Sequence, residues 1–250
     1  MKHTLNDYLA LLERDNLITS LPETLDRGQE IALVSYDSRT VVPGTLFICK
    51  GAHFKPEFLA MAKEKGAVAY LSLTPYPEVD LPCILVRDMR RTIAPLADLC
   101  YDHPSQTLNV IGITGTKGKS STTYYLKYIL DAYQAGEKQP ESGVISSIDT
   151  YDGVERFESH LTTPEPLDLQ RHFANAVSTG MNYLTMEVSS QALKYHRTLC
   201  TRFAAACFLN IGTDHISPIE HPDLGLLHLQ AEDLRSGQRV LRQSGLRPRL

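Results

Sequence analysis

Residues 112–122 read GITGTKGKSST, a glycine-rich stretch at the end of one apolar run and the start of a longer segment with helical character. A buried strand, a glycine loop and a helix in this order predict a phosphate-binding loop. Glycines let backbone N–H groups approach an anion, and the helix N-terminus adds the positive end of its dipole. The usual spacing places a further glycine five residues before Gly118, where this chain has Ile113. The residues leave two readings open, a nucleotide site of another subtype and a structural glycine turn with a solvated Lys119; the flanking strand and helix favour the first.

The composition is that of a soluble globular protein. The 250-residue chain is 42% hydrophobic and 22% charged, with a net charge of −4, and its length fits one large or two ordinary domains. This mildly acidic balance gives no support for a nucleic-acid or membrane-surface partner, and no run approaches the roughly 20 apolar residues of a membrane span. The five cysteines include no C-x-x-C pair, which is typical of reduced cytosolic thiols. We therefore expect a cytoplasmic protein.

Short apolar runs alternate with helical stretches along the chain, which predicts an α/β fold. Strands are predicted at 31–36, 45–51, 67–73, 83–88, 108–114, 143–153, 183–190 and 203–210, and helices at 57–66, 121–133 and 166–180. The helix at 121–133 is apolar almost all round and is expected to be buried against a sheet. A polar, proline-containing linker near residue 104 separates an N-terminal α/β domain, 1–104, from a phosphate-loop domain, 105–223, with a mainly parallel central sheet.

Acidic and histidine side chains follow two of the predicted strands. Glu187 ends one buried strand, and Asp214 and His215 follow the next one. Ligands of open α/β sheets bind at the carboxyl ends of the strands, where a carboxylate can hold Mg²⁺ and a histidine can contact phosphate or metal. Each residue alone is ordinarily a solvated strand cap or loop side chain. Together with the phosphate loop, these residues make a magnesium–nucleotide site as well supported by the pattern as this ordinary role.

Five motifs recur in the order found in a known family: DSR (37–39), GITGTKGKSS (112–121), TTPE (162–165), MEVSSQAL…HR (186–197) and LNIGTDHISPIEHP (209–222). Through them, residues 30–223 resemble the Mur ligases of peptidoglycan synthesis. The branch most similar adds the third amino acid to UDP-N-acetylmuramoyl-L-alanyl-D-glutamate. In this family the phosphate loop is written G-T-x-G-K-[ST], so Ile113 is the normal residue.

The resemblance implies ATP and Mg²⁺ as cofactors and assigns a role to each matching position. The ATP loop and its neighbour would comprise Gly115, Thr116, Lys117, Gly118, Lys119, Ser120, Ser121 and Asn210. Catalysis would involve Lys119, Glu187 and His215, and Mg²⁺ would be held by Ser120, Glu187 and His215. The N-terminal domain would bind the UDP end through Ser38, and the muramoyl dipeptide would contact Thr162, Thr163, Ser189, Tyr195 and Arg197.

The implied reaction is an ADP-forming ligation. ATP converts the terminal carboxylate of the dipeptide into an acyl phosphate, which the amine of the incoming amino acid attacks. The partners are therefore small molecules, the UDP-N-acetylmuramoyl dipeptide and either L-lysine or diaminopimelate. The sequence does not distinguish these two amino acids, and it is silent on the oligomeric state.

Residues 224–250 depart from this pattern. They contain five arginines and no lysine, and Leu, Arg and Ser fill 15 of the 27 positions, a bias typical of out-of-frame translation. A one-base shift after codon 223 permits Trp-Asp-Tyr-Phe-Thr-Ser-Lys-Leu, similar to the family's continuation with its carbamylated lysine. We expect a frameshifted tail, no C-terminal amino-acid-binding domain and a polypeptide that does not ligate by itself. A genuine, divergent C-terminus is the alternative.

Three rival functions stay open. A folylpolyglutamate-type ligase shares the ATP loop, but DSR and TTPE argue against it. A degenerate nucleotide-binding module or pseudoenzyme would bind ATP or the UDP-linked dipeptide without turnover. An unrelated phosphate-loop ATPase would need no contribution from Thr162, Thr163 or Arg197.

Overall fold

The computed structural model describes residues 3–51 and 54–212, together with the backbone of residues 239–242. The chain forms two compact units, Met1–Asp102 and His103–Leu250, and each is described by itself. The sequence-based division after residue 104 lies close to this boundary, while the ligand predicted for each domain stays a prediction. Apart from the backbone of 239–242, the predicted aberrant tail lies outside the described residues. Within the described part of the chain, no helix combines the length and apolar character needed to cross a membrane.

The first unit is built around a five-stranded sheet. The unit as a whole contains the strands β1 (His3–Thr4), β2 (Ile18–Ser20), β3 (Glu30–Ile31), β4 (Leu33–Ser35), β5 (Thr45–Ile48), β6 (Ala67–Ser72) and β7 (Cys83–Val86). Its helices are α1 (Leu5–Arg14), α2 (Pro56–Glu64) and α3 (Met89–Cys100). The sheet order is β2-β7-β6-β5-β4, with β4 to β7 parallel and β2 antiparallel, while β1 and β3 form a separate antiparallel pair. The strand predicted at 31–36 is thus divided between two sheets.

The parallel strands form where apolar residues are continuous. The runs TLFI of β5 and AVAYLS of β6 are almost completely buried, as expected of strands covered on both faces. Asp88 caps the N-terminus of helix α3, because its carboxylate accepts hydrogen bonds from the N–H groups of Arg90 and Arg91. Because β4 to β7 are parallel, their carboxyl ends lie at one edge of the sheet, and the DSR turn follows β4 at that edge.

The second unit contains a seven-stranded, mostly parallel sheet. After a 3₁₀ turn at Pro104–Gln106, its strands are β8 (Asn109–Thr114), β9 (Gly143–Ile145), β10 (Asp149–Tyr151), β11 (Arg156–Glu158), β12 (Tyr183–Glu187), β13 (Phe203–Phe208) and β14 (Arg239–Arg242), and its helices are α4 (Lys119–Gly136), α5 (Pro166–Ser178) and α6 (Ser190–Lys194). The order is β11-β10-β9-β12-β8-β13-β14. The neighbouring strands β9, β12, β8, β13 and β14 pair in parallel, and β10 and β11 extend the β9 side of the sheet with antiparallel pairs. This confirms the predicted fold class.

The central strands of this sheet are held by a buried apolar core. Val110 of β8 and Leu184 and Met186 of β12 pack in one cluster with Phe173 of α5, and all four side chains are buried. Gly112 of β8 allows an unusually close approach, because a Cβ atom there would lie 2.8 Å from the ring of Phe203. The core therefore fixes the register of the strands whose carboxyl ends carry the predicted site.

Helix α4 corrects one expectation. It packs against β8, β9 and β12, but Tyr125, Tyr128, Ile129 and Tyr133 are 71, 66, 66 and 57% exposed. The predicted packing of this helix against a sheet is confirmed, but the expectation drawn from its apolar residues does not hold for this outer face, which is exposed. Tyrosine accounts for most of the error, because its ring counts as apolar in a periodicity pattern while its hydroxyl tolerates water.

Candidate functional site

The glycine loop lies between the last residue of β8 and the first residue of α4. Gly115 has φ +142° and Gly118 has φ +85°, backbone conformations that residues with a Cβ atom rarely adopt. A Cβ atom on Gly115 would also lie 3.0 Å from the carbonyl oxygen of Asn210. Both conformation and space therefore require glycine at position 115. The predicted strand–loop–helix arrangement is confirmed.

The segment that follows β13 clasps this loop. The side-chain Oδ1 of Asn210 accepts a hydrogen bond from the Lys117 N–H, and its Nδ2 donates to the Lys117 carbonyl, each at 3.0 Å. The Thr116 N–H donates to the Asn210 carbonyl at 3.1 Å, and the Gly212 N–H donates to the Thr116 hydroxyl at 2.8 Å. Asn210 therefore holds the loop through both ends of its side-chain amide.

The two residues after Gly118 open helix α4 with polar side chains. The ammonium group of Lys119 donates to the carbonyl of Gly115 at 2.8 Å and to that of Thr116 at 3.3 Å. Its side chain thus folds back across the loop, which keeps a positive charge beside the loop backbone. Ser120 is half-buried and Ser121 is exposed.

The buried carboxylate predicted at the end of β12 lies close to the loop. Glu187 is only 1% exposed, and its Oε1 accepts hydrogen bonds from the Ser147 N–H at 2.8 Å and the Ser147 hydroxyl at 3.1 Å. The Ser147 hydroxyl also lies 3.0 Å from that of Ser120. Two hydrogen bonds therefore connect the first turn of α4 with Glu187. The sequence motifs do not single out Ser147, although it follows β9, whose carboxyl end lies at the same edge.

A second group of predicted residues adjoins the other side of Glu187. The Thr163 hydroxyl donates to the Glu187 carbonyl at 2.9 Å and accepts from the Ser189 N–H at 3.1 Å. Ser189 also caps α6, since its hydroxyl accepts from the Ala192 N–H at 3.2 Å. The ATP-loop residues and part of the predicted dipeptide-binding residues therefore meet around the end of β12.

Arg197 is the charged member of this second group. Its guanidinium pairs with the Glu165 carboxylate at 2.7 Å and donates to the Thr163 carbonyl at 3.2 Å. The ring centroid of Tyr195 lies 5.9 Å from the guanidinium carbon, within cation–π range. Thr162 is half-buried next to Thr163 in the chain. Glu165, the last residue of the TTPE motif, was not predicted to take part and is the partner that neutralises Arg197.

Of the two remaining predicted positions, one lies outside the described residues and the other belongs to the first unit. His215 lies outside the described residues, as does the neighbouring Asp214. Ser38 belongs to the first unit, where it is buried in the turn after β4. Arg39 forms a two-pronged ion pair with Asp37 in that turn, and hydrogen bonding from the Arg39 side chain holds the pKa of Asp37 below its ordinary value.

A buried Asp–His pair lies elsewhere in the second unit. Asp152 and His172 are joined at 2.6 Å, with the Glu155 carboxylate nearby, a trio of the kind that can hold a metal ion. However, the Asp152 carboxylate already accepts from the Nδ2 of Asn175 and from two backbone N–H groups, and Arg171 pairs with Glu155 at 2.6 Å. These hydrogen bonds indicate a structural role, tying the β10–β11 turn to α5.

Comparison with known proteins agrees with the motifs. Residues 113–223 match the family model for the Mur ligase middle domain. The UDP-N-acetylmuramyl-tripeptide synthetase of Lactobacillus delbrueckii subsp. bulgaricus is 39% identical over 248 residues, covering 96% of this chain and 47% of the relative. The UDP-N-acetylmuramoyl-L-alanyl-D-glutamate–L-lysine ligase of Enterococcus faecalis is 45% identical over 204 residues, covering 81% of this chain and 39% of the relative. The chain thus spans less than half the length of these relatives.

Solved structures share the fold. A UDP-N-acetylmuramoyl-L-alanyl-D-glutamate–2,6-diaminopimelate ligase superposes with a TM-score of 0.67 at 21% identity, over 93% of this chain and 44% of that one. The MurF ligase of Thermotoga maritima in complex with ADP superposes with a TM-score of 0.50 at 20% identity, over 80% and 42%. The ordered motifs, the clasped phosphate loop and these similarities agree, and the chain belongs to the Mur ligase family.

Proposed function

We propose that this chain carries the nucleotide-binding part of an ATP-dependent ligase that adds the third amino acid to UDP-N-acetylmuramoyl-L-alanyl-D-glutamate. The observation that carries the proposal is the short connection from the phosphate loop through Ser120 and Ser147 to the buried Glu187. It puts a phosphate-binding loop and a carboxylate at one sheet edge, as phosphoryl transfer requires. The names of the Lactobacillus and Enterococcus relatives support the substrate class.

Each residue of the site has a role in this reaction. Loop N–H groups and the N-terminus of α4 bind the phosphates, while Lys119 neutralises charge on the outer ones. Ser120 and Glu187 supply the hard oxygen ligands that Mg²⁺ prefers, and the prediction extends this set to His215. Bound Mg²⁺ would neutralise charge on the phosphates during transfer.

The chemistry proceeds in two steps. A carboxylate oxygen of the dipeptide attacks the γ-phosphorus of ATP, and the bond from that phosphorus to the bridging oxygen breaks to release ADP. The amine of the incoming amino acid then attacks the acyl carbon, loses a proton and expels phosphate. Arg197, Thr162 and Thr163 orient the muramoyl dipeptide, and Ser38 contacts its uridine end. The amino acid is L-lysine or diaminopimelate, and we expect the reaction in the cytoplasm, where ATP is made and used.

Two titrations test this proposal on the 250-residue protein. Calorimetry with ATP and Mg²⁺ should detect binding that Lys119→Ala abolishes or strongly weakens. Calorimetry with UDP-N-acetylmuramoyl-L-alanyl-D-glutamate should detect a second ligand. Thr162→Ala should weaken binding of the UDP-linked dipeptide and leave ATP binding unchanged.

Thr107→Ala is the matched control, because Thr107 is exposed and precedes the amino end of β8, opposite the phosphate loop. It should leave both titrations unchanged. If Thr162→Ala and Thr107→Ala behave identically toward the dipeptide, the protein is better described as a phosphate-loop nucleotide-binding protein of another kind. Absence of ATP binding to the wild-type chain would refute the proposal altogether.

A further inference from the structure

Ser147 occupies a position that neither the motifs nor the proposed roles account for. It follows β9 and lies between two groups expected to hold Mg²⁺, the Ser120 hydroxyl and the Glu187 carboxylate. Its own side chain is largely exposed, whereas Glu187 is buried. Ser147 is therefore the link through which the loop and the buried carboxylate are in contact.

The geometry fixes the direction of the hydrogen bonds in this link. A serine hydroxyl has one proton to donate, and the Ser147 hydroxyl donates it to Glu187 Oε1 at 3.1 Å. At the 3.0 Å contact between the two serines, Ser147 can therefore only accept, so Ser120 must donate. The hydroxyls run in one direction, from Ser120 through Ser147 to Glu187.

This direction matters for a cation. A hydroxyl that ligates Mg²⁺ uses an oxygen lone pair and must place its proton on another acceptor. Ser147 provides that acceptor, which leaves the lone pairs of Ser120 available. The second carboxylate oxygen of Glu187, Oε2, accepts no hydrogen bond from any residue in the described ranges, so it too remains available as a ligand.

The backbone around Ser147 is held in place. The Ser146 hydroxyl accepts hydrogen bonds from the N–H groups of Ile148 at 3.0 Å and Asp149 at 3.1 Å, closing a tight turn. The hydroxyl of Tyr124, on α4, donates to the Asp149 carboxylate. Burial, and then that carboxylate, raise the pKa of the Tyr124 phenol, so its hydroxyl keeps its proton. Ser147 is thus presented by a turn that is itself attached to α4.

We propose that Ser147 is a positioning residue for the cation of the nucleotide site, acting by accepting the proton of Ser120 and fixing one oxygen of Glu187. The inference rests on the proposed nucleotide-binding function and adds a residue to it. Its backbone N–H bond to Glu187 survives any side-chain change, so a Ser147 variant alters the hydroxyl link and leaves the carboxylate anchored.

The test measures how much Mg²⁺ strengthens nucleotide binding. ADP is titrated into the 250-residue protein with saturating Mg²⁺ and again with a chelator, and the ratio of the two affinities is the readout. Ser147→Ala should lower this ratio about tenfold, the effect of losing one hydrogen bond in a charged network, with little change in the chelator titration. Ser147→Thr keeps the hydroxyl at an exposed position and should restore the ratio to within about twofold. Direct Mn²⁺ binding in the presence of ADP, followed by electron paramagnetic resonance, should weaken in parallel.

Ser178→Ala is the matched control, because it removes an exposed serine hydroxyl that donates to the Asn175 carbonyl at 2.8 Å at the C-terminal end of α5, before the amino end of β12. Its ratio should equal that of the wild type. The inference is overturned if Ser147→Ala keeps the wild-type ratio, or if it weakens ADP equally with and without Mg²⁺. Wild-type binding of ADP without any Mg²⁺ enhancement would overturn the inference and spare the nucleotide site. A wild type that binds no nucleotide would overturn the proposed function as well.

Discussion

Replacing Asn210 by alanine tests whether the phosphate loop is held ready for its ligand. The side-chain amide makes two hydrogen bonds with the backbone of Lys117, one as acceptor and one as donor, each at 3.0 Å. Asn210→Ala removes both and leaves the main-chain bond from the Thr116 N–H, at 3.1 Å, in place. The loop then has to be ordered when the nucleotide binds, and this ordering costs free energy.

The magnitude follows from the two bonds that are lost. At about 0.5–1.5 kcal/mol each, they sum to about 1–3 kcal/mol. The surviving bond to Thr116 retains part of the order, so we expect the lower half of this range, about a tenfold rise in the Kd of ADP with Mg²⁺. Isothermal titration calorimetry at fixed ionic strength measures this directly.

Asn210→Asp separates loop support from charge. Aspartate can still accept from the Lys117 N–H, but it opposes the Lys117 carbonyl and adds a negative charge beside the phosphates. Its affinity should therefore fall below that of Asn210→Ala, and the difference between the two variants should shrink at high salt.

Asn182→Ala serves as the control for both variants. Among the described residues, its side-chain amide donates only one long hydrogen bond, at 3.4 Å to Gln139, and Asn182 precedes the amino end of β12. It should bind ADP like the wild type. The view of Asn210 as a loop support is refuted if Asn210→Ala stays within twofold of the wild type, or if the aspartate variant binds as well as the wild type.

Three further changes probe the same unit. Gly115→Ala should abolish nucleotide binding, because its φ of +142° and the 3.0 Å approach to the Asn210 carbonyl oxygen both exclude a Cβ atom. Gly136→Ala is the control: no atom lies within 4 Å of a new Cβ there, so calorimetric titrations should be unchanged. Lys119→Ala should weaken ATP far more than AMP, since the ammonium group serves the outer phosphates, and equal losses in competition assays would contradict this. Asp152→Ala should lower the free energy of unfolding of the second unit by about 3–5 kcal/mol, because it leaves His172 buried without its partner. Burial raises the pKa of Asp152, but the hydrogen bonds that its carboxylate accepts outweigh burial, and the net pKa is lowered. The contribution of Asp152 to the stability of the fold is therefore complete above the ordinary pKa of 3.8. It is lost as the pH falls through the lower pKa of the folded state. Urea unfolding of the wild type between pH 5 and about 2 should show this loss, which the alanine variant should lack in part.

The parallel strands were predictable because their residues are buried on both faces. AVAYLS of β6 is apolar up to its last residue, and YLTME of β12 interrupts its apolar residues only with Thr185 and the terminal Glu187; both are buried strands in the structure. The segments without a clear prediction were of a different kind. The edge strand β11, Arg156–Glu158, has three exposed residues and is too short to show a clear hydrophobic alternation. Helix α6 has only five residues, too few to show a helical period.

The site was predictable to the extent that its residues lie in the backbone pattern itself. Gly115, Gly118 and Lys119 are fixed by the strand–loop–helix sequence, and Glu187 by its place at the end of a buried strand. Ser147 follows the same rule at the end of β9, but two serines in a polar turn resemble any loop. Only the tertiary contact with Glu187, 40 positions further along the chain, gives that serine a role.

Arg197 shows that a motif can place a charged residue at a site without revealing which groups that charge is paired with. The resemblance assigns this arginine to the dipeptide, and the structure pairs its guanidinium with Glu165 at 2.7 Å and with the Thr163 carbonyl at 3.2 Å. Its Nε is buried and has no hydrogen-bond partner among the described residues, so this donor is not open to an incoming ligand in the arrangement described. A dipeptide carboxylate that approached Arg197 would compete with Glu165 for the other donors. The Thr163 carbonyl would keep the guanidinium in position during that exchange, because a neutral acceptor neither repels the incoming anion nor loses its own bond when Glu165 is displaced.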